Sequence, residues 1–366
     1  MDKKYRFDFA LILLTGLITR YRVLRPLVEA DATVSSRWIP IRTWFEGDWL
    51  AFLPGSLRLR VRHLIDSRSL YLPSRADAIL IHAFETYYMY VIAQRKMGRK
   101  VVIVNNPDAW LPQVSGEAKR DARIRFAIRE TDAFVFWSSI FAQQAREDHP
   151  DIPEHKIHVM HPGIDLKKWP LREPKQPDER FKILFVGGDL MRKGADTLID
   201  AFETYLSDTC ELHIATQAAY LPPAIRQRVE ALPHAHLHLD YTTGSDPLRA
   251  LFREADVFAM PTNKDAAPFV ALESMATGLP IVISPIGGIP EIVMNGEAGL
   301  LVPPKDPAAL AAAIKRLRDS PELREKFTRQ GRAHVEENYD ANRNTEKLLD
   351  LMKRLSDERK GHQVAV

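Results

Sequence analysis

The segment Val186-Gly187-Gly188-Asp189-Leu190-Met191-Arg192-Lys193-Gly194 sets a glycine pair and two adjacent cations ahead of a helix-patterned stretch that begins near Ala195. Glycine lets backbone approach a ligand closely, and a helix N-terminus offers N–H groups and positive potential to an anion. A diphosphate is the natural guest of such a mouth, with Arg192 and Lys193 beside it. The spacing is neither that of a P-loop nor GxGxxG. Alone, the segment reads equally well as a tight strand–helix turn with solvated basic residues.

A second segment runs from Pro261 to Pro280. A loop carries Asp265, and a helix that stops at Gly278 carries Glu273 eight positions later. Glu273 sits among apolar residues, and a buried carboxylate is costly unless it meets hydrogen-bond donors. The two hydroxyls of a ribose would suit it; a basic side chain is the alternative partner. A third segment, Ser284 to Val293, joins a strand to a helix through Gly287 and Gly288, and Asn295-Gly296 reads as a plain turn.

Elements that could hold these residues are legible. Apolar runs at Phe9–Leu14, Ala78–His82, Val101–Val104, Ala133–Trp137 and Ile157–Met160 read as strands of a first half. Runs at Lys182–Val186, Glu211–Ala215, Val257–Met260, Pro280–Ser284 and Gly299–Val302 read as those of a second. Continuous apolar strands alternating with helices predict parallel sheets covered on both faces. Ala195, Leu198, Ile199, Phe202 and Leu206 share one helix face. Three prolines between Trp169 and Pro177 mark a linker. Two doubly wound α/β domains then enclose a cleft at the carboxyl ends of their strands, where ligands of this class bind.

Composition narrows the class. The chain has 366 residues, enough for two domains, and a formal net charge of +3, which gives no case for nucleic acid. The single cysteine, Cys210, excludes an intrachain disulfide, lies in an apolar run and fits a reducing cytosol. Lys3, Lys4 and Arg6 ahead of Phe9–Leu14 resemble a signal peptide, but no small-residue cleavage site follows. The run is also well short of the ~20 residues that span a bilayer. It is read as a buried strand closed by Gly16.

Together the segments resemble glycosyltransferase family 4. Phe185-Val186-Gly187 through Lys193-Gly194, then Asp265 and Glu273 with seven residues between them, then Met275-Ala276-Thr277-Gly278-Leu279-Pro280, then Gly287-Gly288-Ile289-Pro290-Glu291-Ile292-Val293 follow that family's motifs in order, with Asp265 in place of a glutamate. His161-Pro162-Gly163-Ile164-Asp165 and Asp132–Ser138 add to the match, which is dense over 131–330 and thin before it. The resemblance implies a GT-B fold: residues 1–170 as a Rossmann-like acceptor domain, 178–340 as a Rossmann-like nucleotide-sugar domain, and 341–366 as a helix packing back on the first. It implies a retaining transferase that moves a sugar from a nucleotide-diphosphate sugar to a glycan or lipid-linked hydroxyl, with no cofactor and no metal.

Residue by residue, the resemblance puts Lys193 on the donor diphosphate, with Arg192 standing in for an arginine that the family carries nearer the first glycine. It puts Glu273 on the ribose, Asp265 beside the transferred sugar, and the backbone of Phe269 and Val270 on sugar and phosphate. Gly16, Gly187, Gly188, Gly287 and Gly288 flank the donor. Many members carry a histidine after the third strand of the first domain; here Asn106 takes that place, with His82 and Asp108 as alternatives. Asparagine can orient a sugar hydroxyl but does not titrate near neutrality, so the leaving phosphate would take the proton. Neither Asp-x-Asp nor a His/Cys cluster with metal spacing is found along the chain.

Other readings remain beside this one: a degenerate member that binds a sugar nucleotide or glycan without turnover, or a GT-B enzyme of another reaction, such as a phosphorylase or epimerase. Between Arg20 and Arg75, ten arginines face five acids, interleaved with Trp38, Trp44, Phe45, Trp49 and Phe52. That pattern suits either peripheral contact with an anionic membrane face or a solvated basic surface beside core aromatics.

Overall fold

Strand β1 (Tyr5–Ile12) begins four residues before the apolar run that announces it, because Tyr5 and Phe7 already point into a core. The computed structural model describes residues 4–12, 25–26, 28–41, 76–82, 101–105, 118–174, 179–242 and 244–364. The chain divides into two compact units, one of residues 1–161 with 342–366 and one of residues 162–341.

In the first unit, β1, β2 (Val34–Ile41), β3 (Ala78–His82), β4 (Val101–Asn105), β5 (Ala133–Phe136) and β6 (Ile157–Val159) form one parallel sheet in the order β2-β1-β3-β4-β5-β6. Sequence reading misses β2, whose residues include two serines, an arginine and a proline. Among the described residues the strand lies at the sheet edge, where a proline is tolerated. Central strands are apolar on both faces, as a doubly covered parallel sheet requires. Ile79, Ile81, Val102 and Val104 pack with helices α1 (Ala118–Glu130) and α2 (Ser139–Asp148). Leu80, Ile103 and Val135 face the other way and share a cluster with Leu348, Leu349, Leu351 and Met352 from the chain's last helix.

The second unit holds β7 (Phe181–Val186), α3 (Ala195–Ala201), β8 (Cys210–Thr216), α4 (Pro223–Ala231), β9 (Ala235–Leu239), α5 (Asp246–Glu254), β10 (Val257–Met260), α6 (Phe269–Thr277), β11 (Ile281–Ile283), α7 (Ile289–Ile292), β12 (Leu300–Leu301), α8 (Pro307–Asp319) and α9 (Pro321–Asn338). Its sheet is parallel in the order β12-β11-β10-β7-β8-β9. The helix face read at Ala195, Leu198, Ile199, Phe202 and Leu206 is fully buried; its last turn loosens into a π-helix over Phe202–Leu206. Strand β9 escapes sequence reading because its two histidines interrupt the apolar run, a composition an edge strand accepts.

The last helix, α10 (Ala341–Val364), belongs to the first unit from Asn342 onward. Ion pairs and hydrogen bonds back its apolar face: Lys353 to Asp31 at 2.6 Å, Arg359 to Asp132 at 2.8 Å, Lys360 to Asp77 at 3.0 Å, and the Tyr5 hydroxyl donating to Asp357 at 2.7 Å. The segment read as a linker starts inside the second unit. Trp169 is buried there, edge-on to Phe252 at 5.0 Å between ring centres. Arg172 donates from its guanidinium to the Ala255 carbonyl and from its backbone to Thr277. Burial of one indole outweighs the prolines as a boundary signal.

Candidate functional site

Parallel pairing decides which of the distant segments meet. Because β11, β10 and β7 are neighbours, the loops leaving their carboxyl ends lie side by side. Gly194 enters α3 in the left-handed region, and a side chain there would strike the Pro261 carbonyl at 2.0 Å. Gly287 is also left-handed, and a Cβ on it would lie 2.3 Å from the Asp265 carbonyl. Only glycine permits these approaches. The Asn263 N–H donates to the Arg192 carbonyl at 2.9 Å and the Gly288 N–H to Ala266 at 2.8 Å, knitting the three loops.

Charges converge on this seam. Asp265 takes Arg192 at 3.4 Å and Lys193 at 3.9 Å. Arg192 also holds Asp189 at 3.1 Å and donates to the Lys264 carbonyl at 2.5 Å. The stem of Lys193 runs over Gly187, where any Cβ would meet its Cδ at 2.5 Å, and its ammonium lies 4.0 Å from the Met260 sulfur. A side chain at 187 would push the lysine stem aside. Gly188 faces the ring of Tyr220, an exposed residue that follows β8.

Glu273 sits on α6, the helix that starts after the Asp265 loop. It is buried, and its Oε2 has no hydrogen-bond partner. Burial raises its carboxyl to about 7, while the Lys193 charge pulls it down. A lone carboxylate in this position costs stability unless something supplies donors. Pro268 opens α6 without a side-chain cap, and Phe269 and Val270 form the first turn. Two more buried oxygens without partners mark strand ends nearby: Thr216 Oγ1, which ends β8, and Ser284 Oγ, which follows β11. Asn263 Oδ1, past β10, is a third. Sequence reading passes over these three because single polar residues after an apolar run look like ordinary turn starters.

The structure thus brings together Gly187, Gly188, Arg192, Lys193, Asp265, Glu273, Gly287 and Gly288, with Phe269 and Val270 on the helix beside them. Gly16 and Asn106 lie outside the described residues, as does most of the basic stretch from Arg20 to Arg75. His82 ends β3, and its side chain is likewise outside the description. Among the described residues, no helix is long and apolar enough to cross a membrane.

Residues 180–320 match the family model described as glycosyl transferases group 1. Over that stretch the second unit is similar to the group 1 glycosyl transferases. The three knitted loops and Glu273 all fall inside the matched group 1 segment. Over 238 residues the chain is 32% identical to a glycogen synthase of Mycobacterium tuberculosis, covering 62% of this chain and 56% of that protein. The chain therefore spans little more than half the length of this curated relative. Among solved structures, a glycosyltransferase of Rickettsia africae aligns with TM-score 0.74 at 14% identity, covering 97% of this chain and 99% of that one. Anabaena HepE, solved in complex with UDP-glucose, aligns with TM-score 0.68 at 14% identity, covering 96% and 100%. At such identity the likeness is one of fold: two α/β units of the GT-B kind.

Proposed function

We propose that the chain is a retaining glycosyltransferase of family 4 that moves a sugar from a nucleoside-diphosphate sugar to an acceptor hydroxyl without a divalent metal. The observation that carries the reading is the seam itself: a lysine and an arginine paired with Asp265, and a second, buried carboxylate, Glu273, whose Oε2 lacks a partner, all at the carboxyl edge of one sheet. Glu273 takes the ribose hydroxyls, which supply the donors it lacks. Arg192 and Lys193 exchange part of their pairing with Asp265 for diphosphate oxygens. As the acceptor oxygen bonds to the anomeric carbon, the bond to the diphosphate breaks, negative charge grows on the departing oxygen, and the two cations stabilise it. That oxygen takes the acceptor's proton. The reading assigns Asn106 to the transferred sugar, with His82 as the alternative, and places the chain in the cytoplasm, with peripheral contact at the inner membrane face if the acceptor is lipid-linked.

UDP-glucose, the ligand of the Anabaena structure, is the first donor to test in a screen of nucleotide sugars by calorimetry and donor hydrolysis. Tight binding with turnover that survives EDTA is the expected result. Activity abolished by EDTA and restored by Mg²⁺ would overturn the metal-free mechanism. Binding without any turnover would leave a sugar-nucleotide binder, a reading favoured by the engagement of Asp265 with both cations. The reading also expects kcat to fall in Asn106→Ala more than donor affinity does. Full turnover in that variant, with loss in a folded His82→Ala, would move the role to His82.

A further inference from the structure

Pairing of β8 with β9 assembles a group that spacing along the chain hides. His213 and His236 are register partners on adjacent strands, and Glu211 lies two residues before His213 on the same face. Glu211 Oε1 is 2.9 Å from His236 Nε2 and 3.3 Å from His213 Nε2, and the three ligand atoms lie within 4.8 Å of one another. We propose that Glu211, His213 and His236 bind a borderline divalent transition cation of the Zn²⁺ class, fastening edge strand β9 to the sheet.

Three features carry this. Bonds of about 2.0–2.2 Å around a tetrahedral Zn²⁺ set neighbouring ligand atoms roughly 3.4 Å apart; the carboxylate oxygen already sits near that separation from both imidazoles. His213 Nε2 is buried without a hydrogen bond, and a cation there would satisfy it. His213 Nδ1 lies 2.9 Å from His238 Nε2. Metal on Nε2 leaves the proton on Nδ1, where it donates to His238, the outer partner that a ligating histidine usually has. One choice of tautomer therefore satisfies both nitrogens of His213.

The donor set chooses the ion. Two imidazoles and one carboxylate suit Zn²⁺, Co²⁺ or Ni²⁺, whereas Mg²⁺ and Ca²⁺ seek oxygen shells. The side chain of His236 is 49% exposed at the sheet edge, which gives entry and leaves a position for water. Lys182 on β7 is the register partner of Glu211, and its charge moderates the affinity. The group is separate from the anion-holding seam: Glu211 and His213 pair with Lys182 and Leu184, before β7 reaches Gly187.

The test uses the full-length, tag-free chain, stripped of metal by chelation and titrated with Zn²⁺ and with Co²⁺. A single equivalent should bind with micromolar or tighter affinity, Co²⁺ should show visible absorption of a low-symmetry nitrogen–oxygen site, and excess Mg²⁺ should not compete. His213→Asn and His236→Asn should each weaken binding at least tenfold, and His238→Phe by about 10–100-fold, as for outer partners generally. Zn²⁺ should raise the melting temperature of the wild type and leave that of the His213→Asn/His236→Asn double variant unmoved. The metal-free melting temperature of His236→Asn, altered only at the half-exposed rim, checks that the fold survives. Equal affinity in the double variant, or no binding below millimolar metal, would overturn the proposal.

Discussion

Carboxylates meet cations in both units, yet to opposite ends. In the first unit Asp31, Asp77 and Asp132 each accept a lysine or arginine of α10 at 2.6–3.0 Å. Burial pushes Asp31 up, but Lys353 and the Thr33 hydroxyl and N–H outweigh it and hold the carboxyl below its usual range. Satisfied pairs at the rim of a packed helix fasten structure. In the second unit Glu273 lies deeper, keeps an oxygen without a partner, and is raised by burial to about 7 against the pull of Lys193. An arrangement that costs the empty protein stability is one that a ligand can repay, so the contrast separates fastening charges from binding charges.

The contrast breaks most sharply at Lys193. Lys193→Ala should lower kcat/KM by about 10²–10³-fold, the range for removing one stabiliser of transition-state charge, while the melting temperature stays near that of the wild type. A variant with undiminished turnover would return Lys193 to the fastening class. Donor affinity measured by calorimetry should fall by about 1–3 kcal/mol in Glu273→Ala, the range for a charged hydrogen bond lost, and by less in Glu273→Gln.

A sharper test uses pH. Glu273 titrates near 7 in the folded chain against an ordinary 4.5. Between these values the unfolded chain has released the proton and the folded chain keeps it. Ligand-free stability from this group is therefore whole below 4.5, falls as pH rises through the window, and levels off above 7. The full change is on the order of 3 kcal/mol. Urea midpoints across that range should slope downward in the wild type relative to Glu273→Gln, and saturating donor should reduce the difference. Parallel curves would mean that the carboxylate is already satisfied. The smallest effect belongs to the first unit: Lys353→Met should cost about 0.2–1 kcal/mol by urea denaturation and leave donor affinity unchanged.

Legibility followed the same division. Strands buried on both faces announced themselves: Ala78–His82 and Val257–Met260 carry the bounds their apolar runs imply. The edge strands β2 and β9 did not, because a strand at a sheet edge tolerates Pro40, His236 and His238. The proline-rich segment after Trp169 overstated the boundary, since a buried indole outweighs local stiffness.

From residue types and order alone came the parallel α/β character, the glycine–lysine turn at Gly187–Gly194, and a carboxylate at Glu273 that must be buried. These are local consequences of apolar periodicity and of glycine's freedom, and they need no knowledge of neighbours. Tertiary structure alone decided that Lys193 reaches toward Glu273 and pairs with Asp265, that Gly287 admits the Asp265 loop, and that Glu211, His213 and His236 share one face. The reason is physical: strand order in a parallel sheet is set by how crossovers bury apolar faces, and segments 22 to 80 residues apart along the chain become neighbours only once that order exists.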